Sequence, residues 1–225
     1  MRLHVETLFT MDDGGRLVSM NEAGGGPAPR FFLGRTPDGN VWNVRHDLDP
    51  GLVAGVEELV RSEPAALQTG PMPHTAAPYL DLLSRHDSIQ RVWAGPAYLF
   101  PVELPDSHDI VYVTPGNVSI LARYFTDWVE DVSRAAPMTA VVDDGAAVSI
   151  CCSVRMGKRA HEAGVETHRD FRGRGHAARV VAGWARAVRQ MGLTPLYSTS
   201  WENQPSRIVA DRLGLVQYGA TFHIT

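Results

Sequence analysis

The chain of 225 residues has little cysteine, and its only two cysteines, Cys151 and Cys152, are adjacent. Two neighbouring cysteines with no matching pair elsewhere cannot build a metal cage or a disulfide framework. They lie in a segment rich in β-branched and small residues, and free cysteine is commonly buried. We therefore predict buried strand thiols and no metal site, with a redox or acyl-carrying thiol as the less favoured alternative.

The sequence also lacks a strong charge of one sign and a long apolar run. Its formal net charge is −4 and its pI is about 6.1, which gives no general attraction to nucleic acid or to anionic membranes. No apolar run approaches the ~20 residues that a membrane-spanning helix needs, and the start lacks the apolar core of a signal peptide. We expect a cytoplasmic protein that binds neither nucleic acid nor membrane and whose basic sites are local.

The first hundred residues have the pattern of mixed α and β structure. The turn formers Pro37, Asp38 and Gly39 separate two apolar runs and predict a β-hairpin. Asp49 can cap a helix that Pro50 opens, with apolar residues at helical spacing after it. We find no catalytic signature in this part of the chain.

The second half alternates strand and helix patterns, which predicts an α/β (α+β) fold with a mixed central sheet and flanking helices. The predicted elements, in order, are a strand over 109–113, a helix over 117–132, a hairpin over 140–154, a strand over 163–167, a glycine-rich turn, a helix ending at Gly192, a strand over 196–201, a short helix closed by Gly214 and a final strand or hairpin.

The glycine-rich turn carries the main functional signal, and its sequence is Arg172-Gly173-Arg174-Gly175-His176-Ala177. A strand that ends in such a turn and enters a helix at once leaves backbone N–H groups pointing outward at the positive end of the helix dipole. The glycines let the main chain approach a phosphate, and the two arginines add charge-assisted hydrogen bonds. The turn therefore predicts an anion site suited to a diphosphate.

The spacing distinguishes this turn from two common phosphate-binding motifs. A P-loop requires a Lys-Ser/Thr pair, which is absent. A dinucleotide-binding turn requires a third glycine and an acidic residue about twenty positions on. In this chain the position of the third glycine is Ala178, and the region expected to hold the acidic residue is Gly192 to Pro195, which contains no acidic residue. A purely structural strand-to-helix turn is the remaining alternative.

Three motifs in order resemble the GNAT superfamily of acyl-CoA N-acyltransferases. The turn from Arg172 to Ala177 resembles the family's Arg/Gln-x-x-Gly-x-Gly/Ala motif. The segment from Asn203 to Ser206 resembles its Asn-x-x-Ala/Ser helix start, and Arg212 to Leu215 resembles its closing Leu-Gly-Phe/Leu. The resemblance covers roughly residues 105–225.

The resemblance implies two domains and a splayed sheet. Residues 103–225 would form the acyltransferase domain, in which the fourth and fifth strands of the sheet separate. Residues 1–102 would be an N-terminal α+β module of unassigned role, for which a degenerate copy of the fold is one option. The oligomeric state does not follow from the sequence, and a homodimer is one option.

The resemblance also implies acetyl-CoA, or a related acyl-CoA, as the co-substrate. The pantetheine arm would pair with main-chain groups of the strand before the turn, as an added strand. The turn would hold the pyrophosphate, and the start of the next helix would contact the arm from the other side, although an Asn there can also be a helix cap. The residues implied in cofactor binding are Val165, Glu166, Thr167, the turn from Arg172 to Ala177, Asn203 and Ser206.

The implied reaction transfers the acyl group to a primary amine of a small molecule or a peptide. Such an amine arrives as an ammonium ion and must lose a proton before it attacks the thioester. His161 stands eleven residues before Arg172, where several family members carry a catalytic Glu or His. Glu162, Glu166 and His168 are the other candidate bases.

The candidate acid departs from the family pattern. The family's frequent acid is a Tyr seven residues after the matched Asn, and this position is Ala210 here. We take Tyr218 as a candidate catalytic residue, with Tyr197, water or no acid at all as alternatives, since a thiolate with a pKa of about 8.5 is a fair leaving group. The missing Tyr supports a second hypothesis, a non-catalytic acyl-CoA-sensing module. A third hypothesis is a protein-interaction domain in which the turn is structural.

Overall fold

The computed structural model describes residues 1–22, 24–65, 70–106 and 109–225. The chain divides into two compact units. Unit 1 consists of Met1–Tyr98, Ser198–Gln204 and Gln217–Thr225, and unit 2 consists of Leu99–Tyr197 and Pro205–Val216. The division expected from the sequence, at residue 102, assigns both late segments of unit 1 to the second domain.

Helices and strands alternate along both units. The helices are α1 (Arg2–Leu8), α2 (Pro50–Ser62), α3 (Ala76–Ser84), α4 (His176–Gln190) and α5 (Gln204–Arg212). The strands are β1 (Phe9–Met11), β2 (Leu17–Met20), β3 (Phe31–Thr36), β4 (Gly39–Val44), β5 (Val92–Leu99), β6 (Ile110–Val113), β7 (Met138–Asp143), β8 (Ala146–Met156), β9 (Ala160–Thr167), β10 (Thr194–Ser198) and β11 (Val216–Ile224).

Unit 1 contains the antiparallel pair β1–β2 and four strands in the order β4-β3-β11-β5. The predicted hairpin is confirmed, since β3 and β4 pair from Phe31↔Val44 to Thr36↔Gly39. The predicted helix α2 is confirmed as well: it begins at Pro50, and the Asp49 carboxylate accepts the backbone N–H of Leu52 at 3.0 Å. Neither α1 nor the β1–β2 pair was predicted.

Unit 2 contains five strands in the order β10-β9-β8-β7-β6, and α4 packs against β7, β8 and β9. Neighbouring strands are antiparallel from β6 to β9, whereas β9 and β10 are parallel. This mixed sheet with flanking helices confirms the predicted fold class. Both cysteines are buried in β8, and burial raises the pKa of Cys152 to about 12 and that of Cys151 well above its ordinary value. The predicted buried thiols are thereby confirmed.

The helix predicted over residues 117–132 is wrong. Two short 3₁₀ turns, Val118–Leu121 and Thr126–Trp128, occupy this segment. Asn117 does not cap a helix, because its side-chain oxygen accepts the backbone N–H of Thr114 at 2.7 Å and its amide donates to the carbonyl of Tyr112. The apolar spacing correctly indicated which side chains are buried, since Leu121, Phe125 and Val132 pack in one cluster, but successive tight turns satisfy that spacing as well as a helix does.

Two features are missing from the part of the chain that the structure describes. None of its helices is long and apolar enough to cross a membrane. Within the same ranges, no three His, Cys, Asp or Glu side chains are grouped so that they could hold a metal ion.

Candidate functional site

Strands β9 and β10 of unit 2 separate along their length. Their parallel register has three pairs, Thr194↔Ala160, Pro195↔His161 and Leu196↔Glu162. β9 then continues to Thr167, still paired with β8 on its other side. The edge of β9 that follows Glu162 is therefore not paired with β10, and its main-chain groups can accept an added extended chain.

The turn between β9 and α4 has the backbone geometry of an anion site. Gly173 and Gly175 have φ values of 78° and 81°, which lie in the left-handed region that glycine adopts without strain. Gly175 is the N-cap of α4, and no side chain caps this helix. The N–H groups of the first turn of α4 therefore point out of the helix at its positive end.

Two arginines of the turn are anchored to main-chain carbonyls. Arg172 Nε donates to the carbonyl of Thr167 at 3.1 Å. Arg174 Nη2 donates to the carbonyl of Asp170 at 3.1 Å, and its guanidinium lies 5.1 Å from the centroid of the Phe171 ring. Both side chains are exposed, so each guanidinium is oriented by the chain while retaining N–H donors for a ligand.

Arg212, which ends α5, is a third arginine at this turn, and the sequence did not indicate its role. A Cβ atom at Gly175 would lie 3.4 Å from Arg212 Nη1. The Arg212 guanidinium has no hydrogen bond or ion pair with any residue that the structure describes. Three cations close to one helix N-terminus repel one another unless an anion lies among them. The sequence marks Arg212 only as the start of the Leu-Gly motif. Its proximity to Gly175 depends on how α5 packs, which the sequence does not show.

His161 belongs to a buried hydrogen-bond network beneath α4. Its exposed fraction is 6%. Its Nδ1 lies 2.9 Å from Ser153 Oγ, which also accepts the indole N–H of Trp184 at 3.1 Å. The indole can only donate a hydrogen bond, whereas the Ser153 hydroxyl can either donate to His161 Nδ1 or accept a second hydrogen bond from it. Burial lowers the pKa of His161, so the ring is neutral at pH 7.

Acidification is expected to weaken the fold through His161. In the folded chain burial lowers the pKa of His161 below its ordinary value of 6.5. As the pH falls through about 6.5, the unfolded chain therefore binds a proton that the folded chain does not, and the stabilisation present above this pH is lost. We expect the free energy of unfolding in urea to fall more from about pH 7.5 to about pH 5.5 for the parent than for His161→Gln.

The comparison with His161→Gln isolates this residue from the other histidines. The pKa of His176 is also lowered, by burial and by the nearby Arg179 and Arg174, but His176 is present in both proteins. Equal losses of stability in the parent and in His161→Gln would contradict the expectation.

The two candidate glutamates of β9 differ in exposure. Glu162 is 2% exposed and lies in the stretch that pairs with β10. Glu166 is exposed and lies beyond that stretch. Its Oε2 accepts the indole N–H of Trp128 at 3.3 Å. Of the three candidate bases on this strand, Glu166 alone is exposed, since His161 is also buried.

His168, the fourth candidate base, is part of an aromatic cluster at the end of β9. Its ring stacks on Tyr124 with centroids 4.1 Å apart, and Phe171 lies edge-on to Tyr124 at 5.8 Å. Its Nδ1 lies 3.8 Å from the carboxylate of Asp170. His168 therefore borders the turn.

The remaining predicted residues are divided between the two units. Tyr218 and Asn203 are in unit 1, where the Tyr218 hydroxyl lies 2.5 Å from His4 Nδ1. Ser206 is in unit 2, and its Oγ lies 2.5 Å from the hydroxyl of the buried Tyr197. Ala210, at the family's tyrosine position, is 0% exposed, so this position offers neither a hydroxyl nor an accessible side chain.

Comparisons with known proteins give a family match for part of the second half of the chain. Residues 121–221 match a family model described as GNAT acetyltransferase. A search of curated proteins finds no match for the chain.

Three solved structures resemble this chain in fold. An acetyltransferase of the GNAT family from Novosphingobium aromaticivorans has a TM-score of 0.51 and 20% identity over 61% of this chain and 66% of its own. A GCN5-related N-acetyltransferase-like protein from Streptococcus suis has a TM-score of 0.51 and 16% identity over 89% and 85%. A GNAT-family acetyltransferase from Colwellia psychrerythraea has a TM-score of 0.50 and 12% identity over 95% and 83%. The last two likenesses extend over most of the chain, including its first half.

Proposed function

We propose that the chain is an N-acetyltransferase that moves the acetyl group of acetyl-CoA to a primary amine, because residues 121–221 match a family model described as GNAT acetyltransferase. The observation that carries this proposal is the turn at the start of α4. There, two left-handed glycines and three arginines surround an N-terminus that no side chain caps. This arrangement suits the diphosphate of CoA.

The unpaired edge of β9 supplies the second contact. Main-chain N–H and C=O groups from Val165 to Thr167 lie beyond the last pair with β10, and the amides of pantetheine can pair with them as a strand would. The thioester then lies along β9, with the diphosphate at the turn. A backbone N–H of this edge, such as that of Val165, can donate to the oxyanion of the tetrahedral intermediate.

Glu166 is the residue we assign to proton removal. Its carboxylate takes a proton from the acceptor ammonium, and the free amine attacks the thioester carbonyl. The new C–N bond forms, the C–S bond breaks, and the CoA thiolate leaves with a pKa of about 8.5, which needs little help from an acid. Tyr218, Glu162 and His161 stay predictions for catalytic roles.

A non-catalytic acyl-CoA sensor is the second candidate function. The observations that favour it are the buried Ala210 at the family's tyrosine position and the buried His161 at its frequent base position. Such a sensor would bind acetyl-CoA at the same turn and transfer nothing.

Calorimetric titration with acetyl-CoA, followed by incubation with a panel of amines and mass detection, separates these functions. We expect binding together with an acetylated amine and free CoA. Binding with no acetylated product across small amines and lysine-containing peptides would favour the sensor, and the absence of binding would refute both functions.

Gly175→Ala is expected to weaken both the fold and the binding of acetyl-CoA. A side chain at φ 81° is strained, which costs about 1–2 kcal/mol of stability, and its Cβ would lie 3.4 Å from Arg212 Nη1. Gly192→Ala is the matched control, because Gly192 has φ 75° and its Cβ would meet nothing within 4 Å.

Urea unfolding and calorimetry measure the two effects separately. Both variants should lose similar stability, while Gly175→Ala alone should bind acetyl-CoA more weakly. Equal affinities in the two variants would show that the site does not depend on the space beside Gly175.

A further inference from the structure

The carboxylate of Glu166 is held at one oxygen and open at the other. Its Oε2 accepts the indole N–H of Trp128 at 3.3 Å, which is slightly longer than the usual range for an N–H···O hydrogen bond. Its Oε1 has no hydrogen-bond partner among the residues that the structure describes. The indole N–H donates a hydrogen bond and carries no charge. Trp128 therefore fixes the orientation of the carboxylate without neutralising its charge.

The indole that holds Glu166 is itself fixed by the core of unit 2. Trp128 ends the 3₁₀ turn Thr126–Trp128, and its backbone N–H donates to the carbonyl of Phe125 at 3.0 Å. Its half-buried ring packs against the cluster that contains Leu121 and Phe125. The position of the indole N–H is therefore set by packing and does not depend on a ligand.

Among the residues that the structure describes, no Lys or Arg neutralises the charge of the Glu166 carboxylate. Cys152 lies on the same face, and burial, together with the nearby Glu166 and Asp131, raises its pKa to about 12, so it is uncharged. Asp131 is neutralised by an ion pair with Arg134. No Lys or Arg in the described ranges pairs with Glu166. A carboxylate that has no cationic partner attracts a cationic ligand. The ammonium group of a primary amine is such a ligand.

Resting on the proposed function, we propose that Trp128 is a positioning residue for the acceptor amine: it holds Glu166 Oε2 so that Oε1 receives the ammonium. The ammonium donates one proton to Oε1 and becomes the free amine. After attack, the nitrogen loses a second proton as the C–S bond breaks and the thiolate leaves. The net change converts an ammonium and acetyl-CoA into an acetamide, CoA thiol and one proton released to water. The acceptor class is therefore a primary amine that carries its charge into the site.

Steady-state kinetics of Trp128→Phe, Glu166→Gln and the double variant test this coupling. Trp128→Phe keeps an aromatic ring and removes the N–H donor, so we expect kcat/KM for the amine to fall about tenfold, with unchanged affinity for acetyl-CoA. In the Glu166→Gln background, Trp128→Phe should have little further effect, because the group it positions has lost its charge. Trp42→Phe, at a half-buried tryptophan of unit 1, is the control and should change neither quantity.

Nuclear magnetic resonance spectroscopy tests the contact between Trp128 and Glu166 without relying on turnover. The chain has five tryptophans, and the indole signal lost in Trp128→Phe identifies Trp128. We expect Glu166→Gln to shift this signal, because the substitution replaces the carboxylate that accepts the indole N–H.

The outcomes distinguish this proposal from the proposed function. Full additivity of the two substitutions, or a Trp128 indole signal that does not change in Glu166→Gln, would overturn the role of Trp128 while leaving acetyl transfer intact. A parent protein that does not bind acetyl-CoA would refute the proposed function and, with it, the acceptor role of this pair.

Discussion

Replacing Arg172 and Arg174 together with alanine is expected to lower the affinity for acetyl-CoA by about 100-fold, since each charge-assisted hydrogen bond to phosphate stabilises the complex by about 1.5–3 kcal/mol. Both guanidiniums are anchored to main-chain carbonyls that precede the turn, at Thr167 and Asp170, so little orientational entropy is lost on binding. Calorimetric titration of the variant and the parent at one salt concentration measures the effect.

The matched control removes the same charge elsewhere. Arg61, in α2, and Arg85, which directly follows α3, are exposed arginines of unit 1, and each is paired with a carboxylate four residues before it. The double variant Arg61→Ala/Arg85→Ala should bind acetyl-CoA as the parent does. A similar loss of affinity in both double variants would mean that net charge, and not the turn, governs binding.

Glu166→Gln is expected to lower kcat by about 100-fold or more, the usual contribution of a general base, without weakening the binding of acetyl-CoA. The substitution preserves the shape of the side chain and removes its capacity to accept a proton. Rapid measurement of CoA thiol release at saturating amine checks the rate, and calorimetry checks the binding.

Two further variants sharpen the assignment of the base. Glu130→Gln changes another exposed carboxylate of unit 2 and should leave kcat unchanged. If His161→Gln abolished transfer while Glu166→Gln retained it, the base would be the buried His161, acting through a rearrangement or a water chain, and our assignment of Glu166 would be wrong.

The sequence predicted those helix starts and turns that are determined by interactions between residues adjacent in the chain. Asp49 and Pro50 gave the start of α2 because capping is a matter of a few adjacent groups. The turn before α4 was predicted from its glycines, and both have the positive φ that such a turn requires. The helix predicted after Asn117 was wrong because the apolar spacing of this segment is compatible with a helix and also with a series of tight turns that cover a core.

Residues whose roles depend on packing were not accessible from the sequence. Arg212 lies at the end of α5, far along the chain from Gly175, yet its Nη1 would lie 3.4 Å from a Cβ at Gly175. His161 has the family spacing from Arg172, yet the network with Ser153 and Trp184 buries it. Spacing along a strand predicts which face a side chain takes, but it does not predict what covers that face.

A crystal structure of the protein with bound CoA tests the diphosphate site most directly. We expect diphosphate oxygens within about 3 Å of backbone N–H groups between Gly173 and Ala177, with the guanidiniums of Arg172, Arg174 and Arg212 around them. A diphosphate bound elsewhere on the molecule, with the start of α4 contacted by solvent alone, would contradict the function proposed for this protein.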